Sequence, residues 1–163
     1  MCGCPEGLPE YLITAGRGED QAFPLAEPLY FRFPPPKEDD EEEEYRELDD
    51  ADILFPNQSV NRDRYSQPED VIFNFPGWGI GAIEVQQIPP RLESPGQDNK
   101  VGPTYNFKPV HKPEACNYAH AEIQVFSGTE NVRRVSSNNI KKQYRTLMRQ
   151  RARVHTSSRR LIV

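Results

Sequence analysis

The stretch NYAHAEIQVF, residues 117–126, decides the fold. From Ala119 onward its apolar and polar residues alternate. Successive side chains of an extended chain point to opposite faces, so such alternation marks a strand with one buried face. Ala121, Ile123 and Val125 share the apolar face, and His120, Glu122 and Gln124 share the other. The pattern predicts a strand over 119–126, stopped by Ser127-Gly128, with isoleucine and valine turned into a core.

The neighbouring segments extend this reading. TYNFKPVH (104–111) alternates in the same way, with Tyr105 and Phe107 on one side and Asn106, Lys108 and Val110 on the other. KPEACNY (112–118) is a turn between the two. WGIGAIEVQQI (78–88) reads as a third strand, with Ile83 and Val85 on one face. The polar loop 89–103 would join it to 104–111 as a long hairpin, because consecutive strands tend to pair. LYFRF (29–33) is a further candidate, placed at an edge. Ser66-Gln67-Pro68-Glu69 has the form of a capping box before a short helix. Residues 136–154 predict a longer helix, capped by Ser137 or Asn138. Its Ile140, Tyr144, Leu147, Met148 and Val154 fall near one stripe, and basic residues cover the rest.

The expected fold class is therefore α+β: a small, mainly antiparallel sheet of three to four strands with a C-terminal amphipathic helix packed on one face. The expected organisation is a largely disordered N-terminal region (1–50), one α+β domain (51–155) and a basic tail (156–163). Sixteen prolines, 36% hydrophobic residues and the run PPPKEDDEEEEYRELDD (34–50) favour a disordered N-terminal region.

Charge is strongly polarised along the chain. Residues 1–60 hold 16 acids against 4 bases, and residues 128–163 hold 10 bases against 1 acid, so the overall net charge of −5 hides two opposite ends. The basic helix would attract an anionic partner, nucleic acid included, or the acidic segment of its own chain. Lys141, Lys142, Arg145 and Arg149 are its candidate anion-binding residues, with Arg62 and Arg64 as a second pair. No apolar run reaches the ~18 residues of a membrane span. Three cysteines, Cys2, Cys4 and Cys116, do not suggest a closed disulfide framework. The expected location is cytoplasmic, with no membrane association and no cofactor.

The candidate catalytic residues are His120, Glu122, His111 and Tyr118. An imidazole and a carboxylate can divide acid and base roles, and an arginine can hold a phosphate. This would suit a small metal-independent hydrolase or an RNA-cleaving, toxin-like nuclease. His111, His120 and Glu122 also supply three metal-ligand types, although their spacing matches no known class, so no metal site is assigned. The plainer alternative makes His120 and Glu122 a solvated pair on the wet face of a sheet. No motif specifies a chemistry, and the leading expectation is a non-catalytic interaction module with a protein partner and oppositely charged ends.

Overall fold

The computed structural model describes residues 3–37, 44–96 and 102–160. Cys2, residues 38–43 of the acidic run, 97–101 of the expected loop and 161–163 of the expected tail lie outside them. The described residues form ten strands and one α-helix: β1 (Pro28–Phe33), β2 (Tyr45–Arg46), β3 (Gln58–Arg62), β4 (Gly79–Glu84), β5 (Arg91–Glu93), β6 (Thr104–His111), β7 (His120–Ser127), β8 (Glu130–Asn131), α1 (Asn138–Arg151), β9 (Arg153–Thr156) and β10 (Ser158–Arg159). Eight of the strands form one antiparallel sheet in the order β5-β6-β7-β3-β1-β4-β9, with β8 added beside β7. The sheet curls into a half-barrel, and β2 with β10 makes a separate two-stranded ribbon.

The expected α+β class with three or four strands is thus corrected to a mostly β fold. Six strands escaped the sequence pattern: the short β2, β5, β8 and β10, and the longer β3 and β9. β3 reads QSVNR, yet Gln58, Val60, Asn61 and Arg62 are all buried. Gln58 and Arg62 are satisfied by the distant Tyr144 and Glu27, which no local alternation can announce. β9 follows α1 directly, where a continued helix and a tail were expected.

The strand at 29–33 is corrected from an edge to the middle of the sheet. It pairs with β4 along its whole length, from Pro28↔Glu84 to Phe33↔Gly79, and with β3 at Leu29↔Arg62 and Tyr30↔Asn61. Gly79 and Gly81 lie directly under the Phe33 and Phe31 rings, where any Cβ would overlap them. The expected hairpin has a different first arm: β5, inside the expected loop, pairs with β6 from Arg91↔Asn106 to Glu93↔Thr104 in place of the strand at 78–88. β4 pairs with β1 and β9, whereas β6 pairs with β5 and β7. Among the anticipated strands, β6–β7 is the one pairing of sequence neighbours that forms as expected, from Asn106↔Phe126 to His111↔Ala121.

The long disordered N-terminal region is likewise corrected. Residues 3–27 run as an ordered arm against the β6–β7 turn. Leu12 is buried, its carbonyl accepts from the Tyr118 N–H at 2.9 Å, and a disulfide joins Cys4 to Cys116. Hydrogen bonds, a covalent tie and the buried Leu12 together hold this arm in place.

The inner face of the sheet carries Leu29, Phe31, Val60, Ile83, Phe107, Ala121, Ile123 and Val125. α1 closes this face with Ile140, Tyr144 and Met148, each at most 1% exposed. A fully buried side chain of this size contributes about 1.5–3 kcal/mol. The Ser137 hydroxyl caps α1 by accepting from the Ile140 N–H. On the outer face a smaller cluster of Tyr30, Val71, Ile80 and Ala82 sits under the 3-10 turn Pro68–Ile72. The reciprocal bond that holds this turn lies one residue beyond the expected Ser66–Glu69 box. The Asp70 carboxylate accepts from the Gln67 N–H at 2.7 Å, and the Ser66 hydroxyl donates to the Arg62 carbonyl.

Candidate functional site

The pleat separates the two histidines. His111 pairs with Ala121 and lies on the inner side of the sheet, whereas His120 pairs with Asn61 and lies on the outer side. His111 is 1% exposed. Its Nδ1 accepts from the Asp20 N–H at 2.8 Å, which leaves Nε2 to donate to the Tyr118 carbonyl at 2.7 Å. Tyr65 stacks on the ring, and Tyr118 meets it edge-on. Both nitrogens are committed, so the imidazole is a neutral clamp between the N-terminal arm and the β6–β7 turn.

Burial lowers the His111 pKa below the ordinary 6.5, with the bond to Tyr118 opposing and the Arg62 charge reinforcing the shift. The unfolded chain therefore binds a proton here more readily than the folded one does. Stability from this group is complete above pH 6.5 and is lost as the pH falls through the lower folded value. Urea midpoints measured from pH 7.5 to 5 should drop for the wild type and drop less for His111→Gln. Equal slopes would remove this group as the cause.

Tyr118 is a structural residue as well. Its hydroxyl donates to the Gly18 carbonyl at 2.6 Å, and the Arg17 guanidinium lies 3.4 Å over its ring. Arg62 is wholly buried, in a forked contact with Glu27 at 2.9 Å through both Nε and Nη2. It also donates to the carbonyls of Asp20 and Ala22. This guanidinium holds the N-terminal arm and offers nothing to an external anion. Arg64 is exposed and lies 3.5 Å from Asp20.

Glu122 accepts from Lys112 and Gln124, and no contact joins it to His120. The anticipated His111–His120–Glu122–Tyr118 set does not converge. Among the described residues no group of three or more His, Cys, Asp or Glu side chains is placed to hold a metal ion.

The basic helix turns part of its charge inward. Arg145 donates to the Ile53 carbonyl at 2.8 Å, and Arg149 pairs with Asp50, which also accepts from Thr146 at 3.0 Å. The hydrogen bond from Arg149 is the main reason that the Asp50 carboxyl is held below its usual value. Asp49 caps the turn that presents Asp50. Asp50, at the end of the acidic segment, and the nearby Ile53 carbonyl thus engage two of the four candidate anion-binding cations of the helix, leaving Lys141 and Lys142 beside a shallow recess with Asp49 and Asn138.

His120 has a different setting. It borders a concavity of about 630 Å³ on the outer face of the sheet. Its Nδ1 donates to the Lys112 carbonyl at 2.7 Å, and its Nε2 lies 3.4 Å from the exposed Glu114 carboxylate. Asn61 and Ser59 of β3 line the same concavity. Asn61 is 2% exposed, and its Nδ2 has no hydrogen-bond partner, whereas its Oδ1 accepts from Asn117 at 2.7 Å.

The opposite wall is aromatic and cationic. Arg32 projects from β1 with its guanidinium 3.8 Å over the Phe75 ring and 5.8 Å from that of Trp78. Phe75 and Trp78 meet edge to face at 5.1 Å. Desolvation lowers the Arg32 pKa, and Glu114 opposes the shift. An arginine stays protonated at neutral pH all the same. Among the described residues no carboxylate lies within ion-pair distance of it. Leu54 and Phe73, 56% and 39% exposed, add apolar surface at the mouth.

Arg32, Asn61 and the aromatic rim escaped sequence reasoning. One signal was present: Arg32 is the cationic interruption on the polar side of an otherwise apolar strand. Nothing local indicates that Phe75 lies under it.

No family model matches this chain, and no curated protein or solved structure does either. The class defined by fold and site is a curled antiparallel sheet with a ligand-sized concavity on its outer face. No helix among the described residues is long and apolar enough to cross a membrane.

Proposed function

We propose that the protein is a non-catalytic binding module whose recognition surface is the concavity between the N-terminal arm and the Phe75–Trp78 rim. The observation that carries this reading is Arg32, a cation stacked on an aromatic ring with no carboxylate within ion-pair distance among the described residues, facing a cavity of ligand size whose lining also holds Asp52, Asp70 and Glu114. Such pockets are mainly apolar, with a few polar groups that set orientation. Asn61 and His120 supply those groups here. The hydrolase reading lacks the convergent set it needs, since His111, Tyr118 and Glu122 are engaged elsewhere. The preferred ligand is an anion with an apolar body, presented by a protein partner.

Trp78 is the single tryptophan of the chain and lines the concavity, so its fluorescence reports the site directly. Titration with 3-phenylpropionate should give a saturable change. Arg32→Met should weaken binding tenfold or more, because a charge-assisted hydrogen bond contributes about 1.5–3 kcal/mol. A signal that does not saturate would overturn the reading. So would RNA cleavage by the purified protein that disappears in His120→Ala.

A further inference from the structure

The sheet is split where the concavity lies. β1 and β3 pair at Leu29↔Arg62 and Tyr30↔Asn61, and no pairing continues to Arg32 and Ser59. β1 nevertheless runs on to Phe33 beside β4, and β3 begins at Gln58 beside β7. The parity of the ladder says which backbone groups face the split. The Arg62 N–H donates to the Ala119 carbonyl on the β7 side, so Asn61 and Ser59 direct their N–H and C=O toward β1. The same alternation directs Tyr30 and Arg32 toward β3. Arg32 and Ser59 would form the next exchange, and neither has a backbone partner there among the described residues. The concavity is lined by both lips of this split, Phe31 and Arg32 on one side and Ser59 and Val60 on the other.

Unpaired strand edges bind extended chains, with main-chain bonds supplying affinity and alternate side chains specificity. Three features describe the side chains such a segment would carry. Arg32 calls for an acid, and the exposed Leu54 and Phe73 call for apolar residues beside it. We infer that the split between β1 and β3 receives an extended segment of a partner protein as an added strand, with an acidic side chain on Arg32 and apolar ones against Leu54 and Phe73. The inference rests on the reading of the concavity as a recognition surface, and it narrows the ligand from an apolar anion to a β-strand peptide.

The test uses an acetylated, amidated seven-residue peptide of alternating valine and threonine with a central glutamate, read through Trp78 fluorescence of the full chain. Saturable binding is expected, weakened at least tenfold by glutamate to glutamine in the peptide or by Arg32→Met in the protein. The two changes together should cost no more than either alone, since both break one contact. N-methylation of alternate peptide amides should abolish binding, because it removes ladder donors and leaves every side chain in place. Retention of affinity within twofold after N-methylation overturns strand addition. Binding of 3-phenylpropionate without the peptide also overturns it, while leaving the concavity as a binding site. Failure of both probes removes both readings. Concentration-dependent dimers that Arg32→Met dissociates, without peptide binding, would assign the split to a second copy of this chain and overturn the partner segment.

Discussion

Arg62→Met should destabilise the protein by about 3–5 kcal/mol, the cost of leaving a buried charge without its partner. Glu27 is 7% exposed, and its two carboxylate oxygens accept from Arg62 at 2.9 Å. Truncation strands that carboxylate in the interior. It also orphans the Asp20 and Ala22 carbonyls and removes the cation from the Phe23 face, 3.8 Å away. Domains of this size hold only about 5–15 kcal/mol in all, so the variant should sit near the edge of folding. Urea denaturation measures the loss. The double variant Arg62→Met, Glu27→Gln should recover part of it, because the stranded charge is then gone. A loss under 1 kcal/mol in the single variant would show that the arm is held by other contacts. This would also weaken the account of His111, whose Nδ1 partner belongs to the same arm.

The Cys4–Cys116 disulfide carries the second large expectation. It closes a separation of 112 residues between the N-terminal arm and the β6–β7 turn. In the chain-entropy account a loop near 100 residues corresponds to about 4–5 kcal/mol, and measured values run lower, about 2–4 kcal/mol. Cys4→Ser, or reduction of the wild type, should lower stability by that amount. Amide exchange should locate the effect, since Tyr118 and Ile13, bonded within or against the arm, should lose protection before Ile123 at the sheet centre. A denaturation midpoint unchanged by reductant would mean that the bonds from the Tyr118 N–H to the Leu12 carbonyl and from the Thr14 N–H to the Ala115 carbonyl are sufficient. Cys116 lines the concavity, so reduction should also weaken peptide binding through the loosened wall.

The local layers of the fold were legible from the sequence. Alternation located strands within 29–33, 78–88, 104–111 and 119–126, and it assigned Ala121, Ile123 and Val125 to the core face. The helical stripe named Ile140, Tyr144 and Met148, and Ser137 marked the helix start. Even the separation of the two histidines was implicit. Along 104–111, odd positions share a side, which puts His111 with Phe107 in the interior. The site was less legible. His120 was singled out, but its companions in the concavity come from residues 32, 61, 75 and 78. Those four positions have no common period and are brought together only by folding.

Sequence alone determined which residues are extended or helical and which side of each element is apolar, because periodicity of 2 or 3.6 is a property of neighbouring side chains. Tertiary structure decided which strands are neighbours, that β3 exists, and that residues 3–27 are ordered. Each of these depends on pairing across long chain separations: Arg62 with Glu27, Gln58 with Tyr144, Cys4 with Cys116. A buried polar residue looks like a surface residue until its partner is known, since its burial is compensated by a group that local sequence does not contain.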